Sequence, residues 1–254
     1  MRVVSLACSN TEIVCALGLG HLLVGVDDNS DHPPEIAHLP RLGPDLAVDV
    51  DAVLALEPDV VLASLTVPGH ERVVEGIAAA GLPHVAPDPQ SLDDVYRDIR
   101  DIGGLLGAPD RADALCAQMR DHLRPRDPAG ARVLVEWWPK PVFVPGKRSW
   151  VTDLVALAGG VNPFGDRDTH SLAVTDDEAR AAAPDLVVVS WCGVPLERYR
   201  LDVVLGREGW AEVPAIRRGA VVPITEAFLG RPGPRLVHGY DALCDAIARL
   251  PPMV

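Results

Sequence analysis

The chain has 254 residues, 48% of them hydrophobic and 23% charged, with a net charge of −13 and 24 prolines beside 22 glycines. This composition excludes a disordered chain, and its length allows one large domain or two modest ones, each with its own core. The acid excess opposes binding to nucleic-acid phosphates or anionic membranes, which needs clustered Lys and Arg.

Val3 to Leu6 reads as a short buried strand, and Ser9-Asn10-Thr11-Glu12 as a capping box opening a helix that ends near Gly18 and Gly20. Leu22 to Val26 is the next strand. Asp49 or Asp51 starts a short helix stopped by Pro58, and Asp59 to Ala63 follows as a strand. His70 to Ala80 is expected to be helical, Pro83 to Ala86 extended, and Ser91 to Leu106 helical. Pro109 opens a helix with a partial apolar stripe that Pro125 and Pro128 end. Alternation resumes from Arg132: a strand at Val133-Leu134-Val135, helices at Ser149 to Ala158 and Thr175 to Ala183, a strand at Asp185 to Val189 and a last helix from Arg235 to Leu250. This order specifies parallel α/β architecture.

Five cysteines, Cys8, Cys15, Cys116, Cys192 and Cys244, show no CxxC spacing, so free thiols are expected. The first residues lack the pattern of a secretory signal, which predicts a cytoplasmic chain as written, or a periplasmic or cell-surface one if an export segment precedes it. No apolar run reaches the roughly 20 residues of a membrane-spanning helix, so no membrane insertion is expected.

The two halves echo each other. Asp51 to Ser64 aligns without a gap on Asp177 to Ser190, each copy reading as acidic start, short helix, Pro-Asp turn and valine-rich strand. A Pro-Asp turn before such a strand also arises from ordinary α/β chemistry. Lobe duplication accounts for the gapless alignment better.

The opening Arg2 to Glu12, Leu17-Gly18, Val24-Gly25-Val26, Asp31-His-Pro-Pro34, Phe143-Val-Pro-Gly146, Gly159-Gly160-Val-Asn162, Phe164 and Arg231 to Arg235 stand in an order that resembles one family. It is the class III substrate-binding proteins of ABC importers, the vitamin B12 and iron-siderophore periplasmic binding proteins. The resemblance implies two Rossmann-like lobes with central parallel-rich sheets joined by one long backbone helix. The expected division is an N-terminal lobe at 1–107, a linking helix at 108–128 and a C-terminal lobe at 129–254. It further implies a ligand held between the lobes with little closure, and acidic residues that dock on a permease dimer, matched here by Asp51 and Asp177. Helix N-capping is the plainer role for both. The disulfide of the vitamin B12 binder would join the equivalents of Ala158 and Cys244, and alanine at the first position removes it.

With aromatic residues at 4%, their placement is informative. Trp137, Trp138, Trp191 and Phe228 fall where strands end, the edge at which open α/β sheets collect ligands. The resemblance carries Trp137, Phe228 and Arg231 to the cleft wall of one lobe and Ser9, Asn29 and Ser64 to the other. Arg231 suits a carboxylate or phosphate. Asn29, Asp45 and Ser64 replace aromatic residues that face the corrin in the vitamin B12 binder, which opens the site to another corrinoid, a haem, a siderophore or a smaller metal chelate.

Catalytic patterns are broken. His70-Glu71 has Val74 where HExxH needs its second histidine, Gly146-Lys147-Arg148-Ser149 lacks the upstream glycine of a phosphate loop, and Gly18-Leu-Gly20 is followed by Leu23 rather than a third glycine. His32, His70, His170 and His238 are the histidines able to reach a cleft, yet no direct metal site is expected. The function expected is therefore non-enzymatic: binding a cobalamin-like or other metal chelate for an ABC importer, as a monomer without a required cofactor. The alternative is a cytoplasmic metal- or cofactor-handling protein, or an enzyme, on the same bilobal fold.

Overall fold

Short valine-rich runs bounded by Pro, Gly or Asp become parallel strands, the pattern expected of strands buried on both faces. In the computed structural model, which describes residues 1–251, β1 (Val3–Ser5), α1 (Cys8–Ala16), β2 (Leu23–Val26), α2 (Val50–Ala55), β3 (Val60–Leu62), α3 (His70–Ala79) and β4 (His84–Val85) come first. Their sheet has the order β2-β1-β3-β4, parallel at every pairing. Helices α4 (Leu92–Leu105) and α5 (Pro109–His122) follow. Next come β5 (Ala131–Glu136), β6 (Trp138–Pro139), β7 (Val142–Pro145), α6 (Trp150–Leu157), β8 (Gly160–Val161), β9 (Ser171–Val174) and α7 (Asp176–Ala181). The chain continues with β10 (Leu186–Val189), α8 (Leu201–Leu205), α9 (Pro214–Arg217), β11 (Val221–Pro223), α10 (Glu226–Leu229) and α11 (Leu236–Ala248). The second parallel sheet has the order β11-β10-β5-β8.

Two compact units result, one of residues 1–89 with 94–118 and one of residues 90–93 with 119–254, so α4 and α5 contribute to both. Val4, Leu6, Leu42, Val53, Val61 and Ile77 form a core of the first unit. That of the second gathers Leu134, Val142, Val144, Val187, Val189, Trp191 and Trp210, among others.

The echo between the halves extends to single hydrogen bonds. Asp59 accepts from the Arg2 amide at 2.6 Å and its own amide donates to the Arg2 carbonyl at 2.8 Å. Asp185 does the same with Arg132, at 3.0 and 2.8 Å. Glu57 and Ala183, each just before the proline of its copy, both take left-handed backbone, with φ of 46° and 45°. No other described non-glycine residue has positive φ. The following proline disfavours right-handed helix at these positions, and both copies resolve the helix-to-strand reversal in the same way.

Three expectations are corrected. The capping box at Ser9 to Glu12 is absent: α1 starts at Cys8 behind Ala7, without a side-chain cap, and all four residues are buried inside the helix. Their polar atoms serve the sheet instead, Asn10 donating to the Ala63 carbonyl at 2.6 Å and Thr11 to the Ser5 hydroxyl at 2.8 Å. Neither Asp51 nor Asp177 is an N-cap. Asp49 caps α2, and Thr175 caps α7 through a capping box with Glu178. Finally, β6, β7 and β9 form a separate antiparallel sheet that the sequence reading missed, with Trp138 opposite Phe143 and Val142 opposite Val174. Strands of two to four residues are too short to display a period of two.

Candidate functional site

In the first unit, Ser9, Asn29 and Ser64 follow β1, β2 and β3, three neighbouring strands, and so gather at the carboxyl edge of one sheet. Asn29 is exposed, whereas Ser9 and Ser64 are buried. The Ser64 hydroxyl bonds that of Thr66 at 2.9 Å. The edge is organised by Asp27, an acid at the end of β2 that is fully buried. Its carboxylate accepts from the Ser30 hydroxyl at 2.5 Å and the Asn29 amide at 3.0 Å, and Arg41 donates to its carbonyl at 3.2 Å. Farther along, Asp45 lies 3.5 Å from the buried His70, whose hydrogen bond holds the Asp45 carboxyl below its usual range.

In the second unit the same rule applies to β5, β10 and β11. Trp137 follows β5, Trp191 follows β10, and Phe228 sits on α10 after β11. Trp137 is fixed through its backbone, its amide donating to the Phe143 carbonyl at 2.8 Å and its carbonyl accepting from the Cys192 amide at 3.1 Å. Trp137 and Phe228 are half-buried, and Trp138, on the small antiparallel sheet, is 44% exposed. Trp191 is placed differently. It belongs to the core, its indole donating to the Glu136 carboxylate at 3.1 Å and its ring 5.7 Å from that of Tyr199.

From Trp191 a continuous set of contacts reaches Arg231. The Tyr199 hydroxyl donates to the Trp191 carbonyl and accepts from the Glu226 amide, both at 3.1 Å. The Glu226 carboxylate then stands 3.5 Å from the Arg231 guanidinium. Phe228 lies between the His238 ring, 5.1 Å away, and the Arg235 guanidinium, 5.5 Å away. Burial pushes the Tyr199 hydroxyl up to about 12, so it stays a neutral donor.

Sequence reasoning missed Glu136, Tyr199, Arg207, Glu226 and Asp27. Glu136 has no solvent exposure and pairs with Arg207 at 2.8 Å. Burial raises its pKa against the opposing pull of Arg207 and Trp191. A signal did exist: Asp27 and Glu136 are the first acids after apolar strand runs, where a buried carboxylate demands a partner. The partner's position is not encoded locally. Of the four histidines singled out, His70 is bound to Asp45, the His170 carbonyl accepts from the Gly146 amide at 2.9 Å, and His238 flanks Phe228. His32 precedes a cis proline.

Two parallel sheets, with Ser9, Asn29 and Ser64 beyond the strands of one and Trp137, Phe228 and Arg231 beyond those of the other, make a protein of mixed α/β class. The family described as periplasmic binding protein matches residues 3–227, and the chain belongs to it. An ABC transporter substrate-binding lipoprotein of Bacillus subtilis, YvrC, is 30% identical over 97% of this chain and 79% of its own length. The vitamin B12-binding protein of Yersinia pestis is 28% identical over 98% of this chain and 87% of its own. Among solved structures, the periplasmic haem-binding protein RhuT of Roseiflexus sp. RS-1 superposes with a TM-score of 0.79 at 30% identity, covering 97% of this chain and 98% of the other.

Proposed function

We propose that this chain is the ligand-carrying component of an ABC importer, and that it binds a metal-chelate small molecule of the haem, corrinoid or siderophore class without making or breaking a bond. The observation that carries the reading is that Trp137 and Phe228, both only half-buried, and Arg231 follow the carboxyl ends of β5 and β11, the two strands that flank β10. Flat rings bind a planar macrocycle with little loss of conformational freedom, and Arg231 supplies a cation for an acidic substituent. Trp138 extends this apolar area, Trp191 braces it from the core, and Ser9, Asn29 and Ser64 furnish the polar counterpart. The relatives that bind haem and vitamin B12 support the ligand class.

Asp51 and Asp177 are the docking acids for a permease. Both are exposed and lie in the first turn of a short helix. Work as a monomer outside the cytoplasmic membrane fits the lipoprotein and periplasmic relatives. No helix among the described residues is long and apolar enough to cross a membrane. Titration of tryptophan fluorescence with haemin, cyanocobalamin, cobinamide and a ferric siderophore tests the reading. Saturable quenching by one of them is expected, with at least about tenfold weaker binding in Trp137→Ala. Quenching by none would remove the assignment.

A further inference from the structure

Arg207 stands at a junction that the binding reading does not use. It is 8% exposed, and its Nη2 donates to Glu136 at 2.8 Å. Its Nε lies 3.9 Å from Asp176, in the first turn of α7. The guanidinium stacks 4.5 Å from the Trp210 ring, and its Nη1 is buried without a hydrogen-bond partner. A guanidinium offers five N–H donors in a rigid fork. Here that fork is divided between two acids and is not saturated. Glu136 uses its other oxygen, Oε1, to hold the Trp191 indole.

We propose that Arg207 is a positioning residue that couples the acidic first turn of α7 to the Trp191–Tyr199–Glu226 contacts, so that a change of charge at the docking turn is felt at the buried Trp191 indole. The inference rests on the proposed docking and binding roles for its use, though not for its physics. Neutralising Asp176 leaves Glu136 as the sole carboxylate of Arg207. The guanidinium then settles on Glu136 alone and fixes more firmly the carboxylate that accepts the Trp191 indole N–H. Asp176 also acts directly on Glu136, its negative charge adding to the upward push of burial. A cation of a partner approaching Asp176 and Asp177 would act in the same direction as their neutralisation.

The test is exchange of the Trp191 indole proton with solvent, read by NMR in the full chain labelled at tryptophan, with the resonance assigned by Trp191→Phe. Asp176→Asn, a change at a 65%-exposed side chain, should slow that exchange by about threefold, a coupling of the size seen within one ion-pair network. Asp202→Asn, at an exposed acid paired with Arg200, is the control and should leave it unchanged. In Glu136→Gln/Arg207→Met, which removes both charges together, exchange should accelerate more than about tenfold because the acceptor is no longer ionised. No retardation in Asp176→Asn, equal retardation in Asp202→Asn, or wild-type exchange in the double variant would each overturn the coupling. Haemin and cyanocobalamin titrations of the wild type judge the binding reading separately, since the exchange measurement needs no ligand.

Discussion

Position 136 holds a carboxylate away from water because two donors reach it, Arg207 at 2.8 Å and the Trp191 indole at 3.1 Å. A buried pair is fragile to one-sided change: removing one partner strands the other charge in an apolar surrounding, whereas removing both is often neutral. Arg207→Met is therefore expected to lower the unfolding free energy by about 3–5 kcal/mol in denaturant titration, and Glu136→Gln/Arg207→Met to recover most of that loss. Gly239 poses a different constraint at the same scale. A Cβ there would stand 2.2 Å from the Phe228 carbonyl, so only glycine lets α11 approach α10 this closely. Gly239→Ala should destabilise by about 2 kcal/mol through overpacking and shift the Phe228 ring, detectable as altered ligand-induced quenching.

Among the elements, the helix-Pro-Asp-strand unit is used twice with the same left-handed residue before its proline. Glu57→Gly and Ala183→Gly relieve that backbone without removing the Asp59 or Asp185 clamp. Each should stabilise its unit by about 0.5–1 kcal/mol, measured by thermal or denaturant unfolding, because L residues are disfavoured there. On α4, Asp98 is 7% exposed, and burial raises its pKa to about 6, against the opposing pull of Arg97. The folded state thus holds this proton more tightly than the unfolded chain, whose carboxyl titrates near the ordinary 3.8. The sign follows: the contribution of Asp98 to stability is greatest below about pH 4, falls as pH rises towards 6 and stays low above it. Asp98→Asn should flatten that fall, worth about 3 kcal/mol, in denaturation curves recorded across this range.

For the molecule as a whole, a net charge of −13 concentrates meaning in the few acids that a duplicated fold places at matching positions. Asp51→Arg with Asp177→Arg is expected to abolish stimulation of a cognate permease's ATP hydrolysis while leaving ligand affinity unchanged, since paired charges orient an encounter more than they hold it. The class of fold, the repeated unit and the principal strands and helices up to β10, with the last helix, were legible in the sequence, whereas β8, β11 and the short helices α8, α9 and α10 were not. Valine runs, Pro-Asp turns and apolar spacing report burial of a segment directly. The antiparallel sheet at β6, β7 and β9 was not, because its strands are too short to carry a period.

The candidate site divides along the same line. Runs of residue type placed Trp137, Trp191 and Phe228 at strand ends, and the family resemblance carried the docking role to Asp51 and Asp177, which open the two copies of the gapless repeat. Which of those rings remained accessible, and that Trp191 turned inward to Glu136, depended on packing. So did the partner of Glu136, an arginine 71 residues away. A run of side chains records how dry a segment must be, but a buried charge is satisfied by whichever distant group the folded chain brings within 3 Å, and no local pattern carries that address.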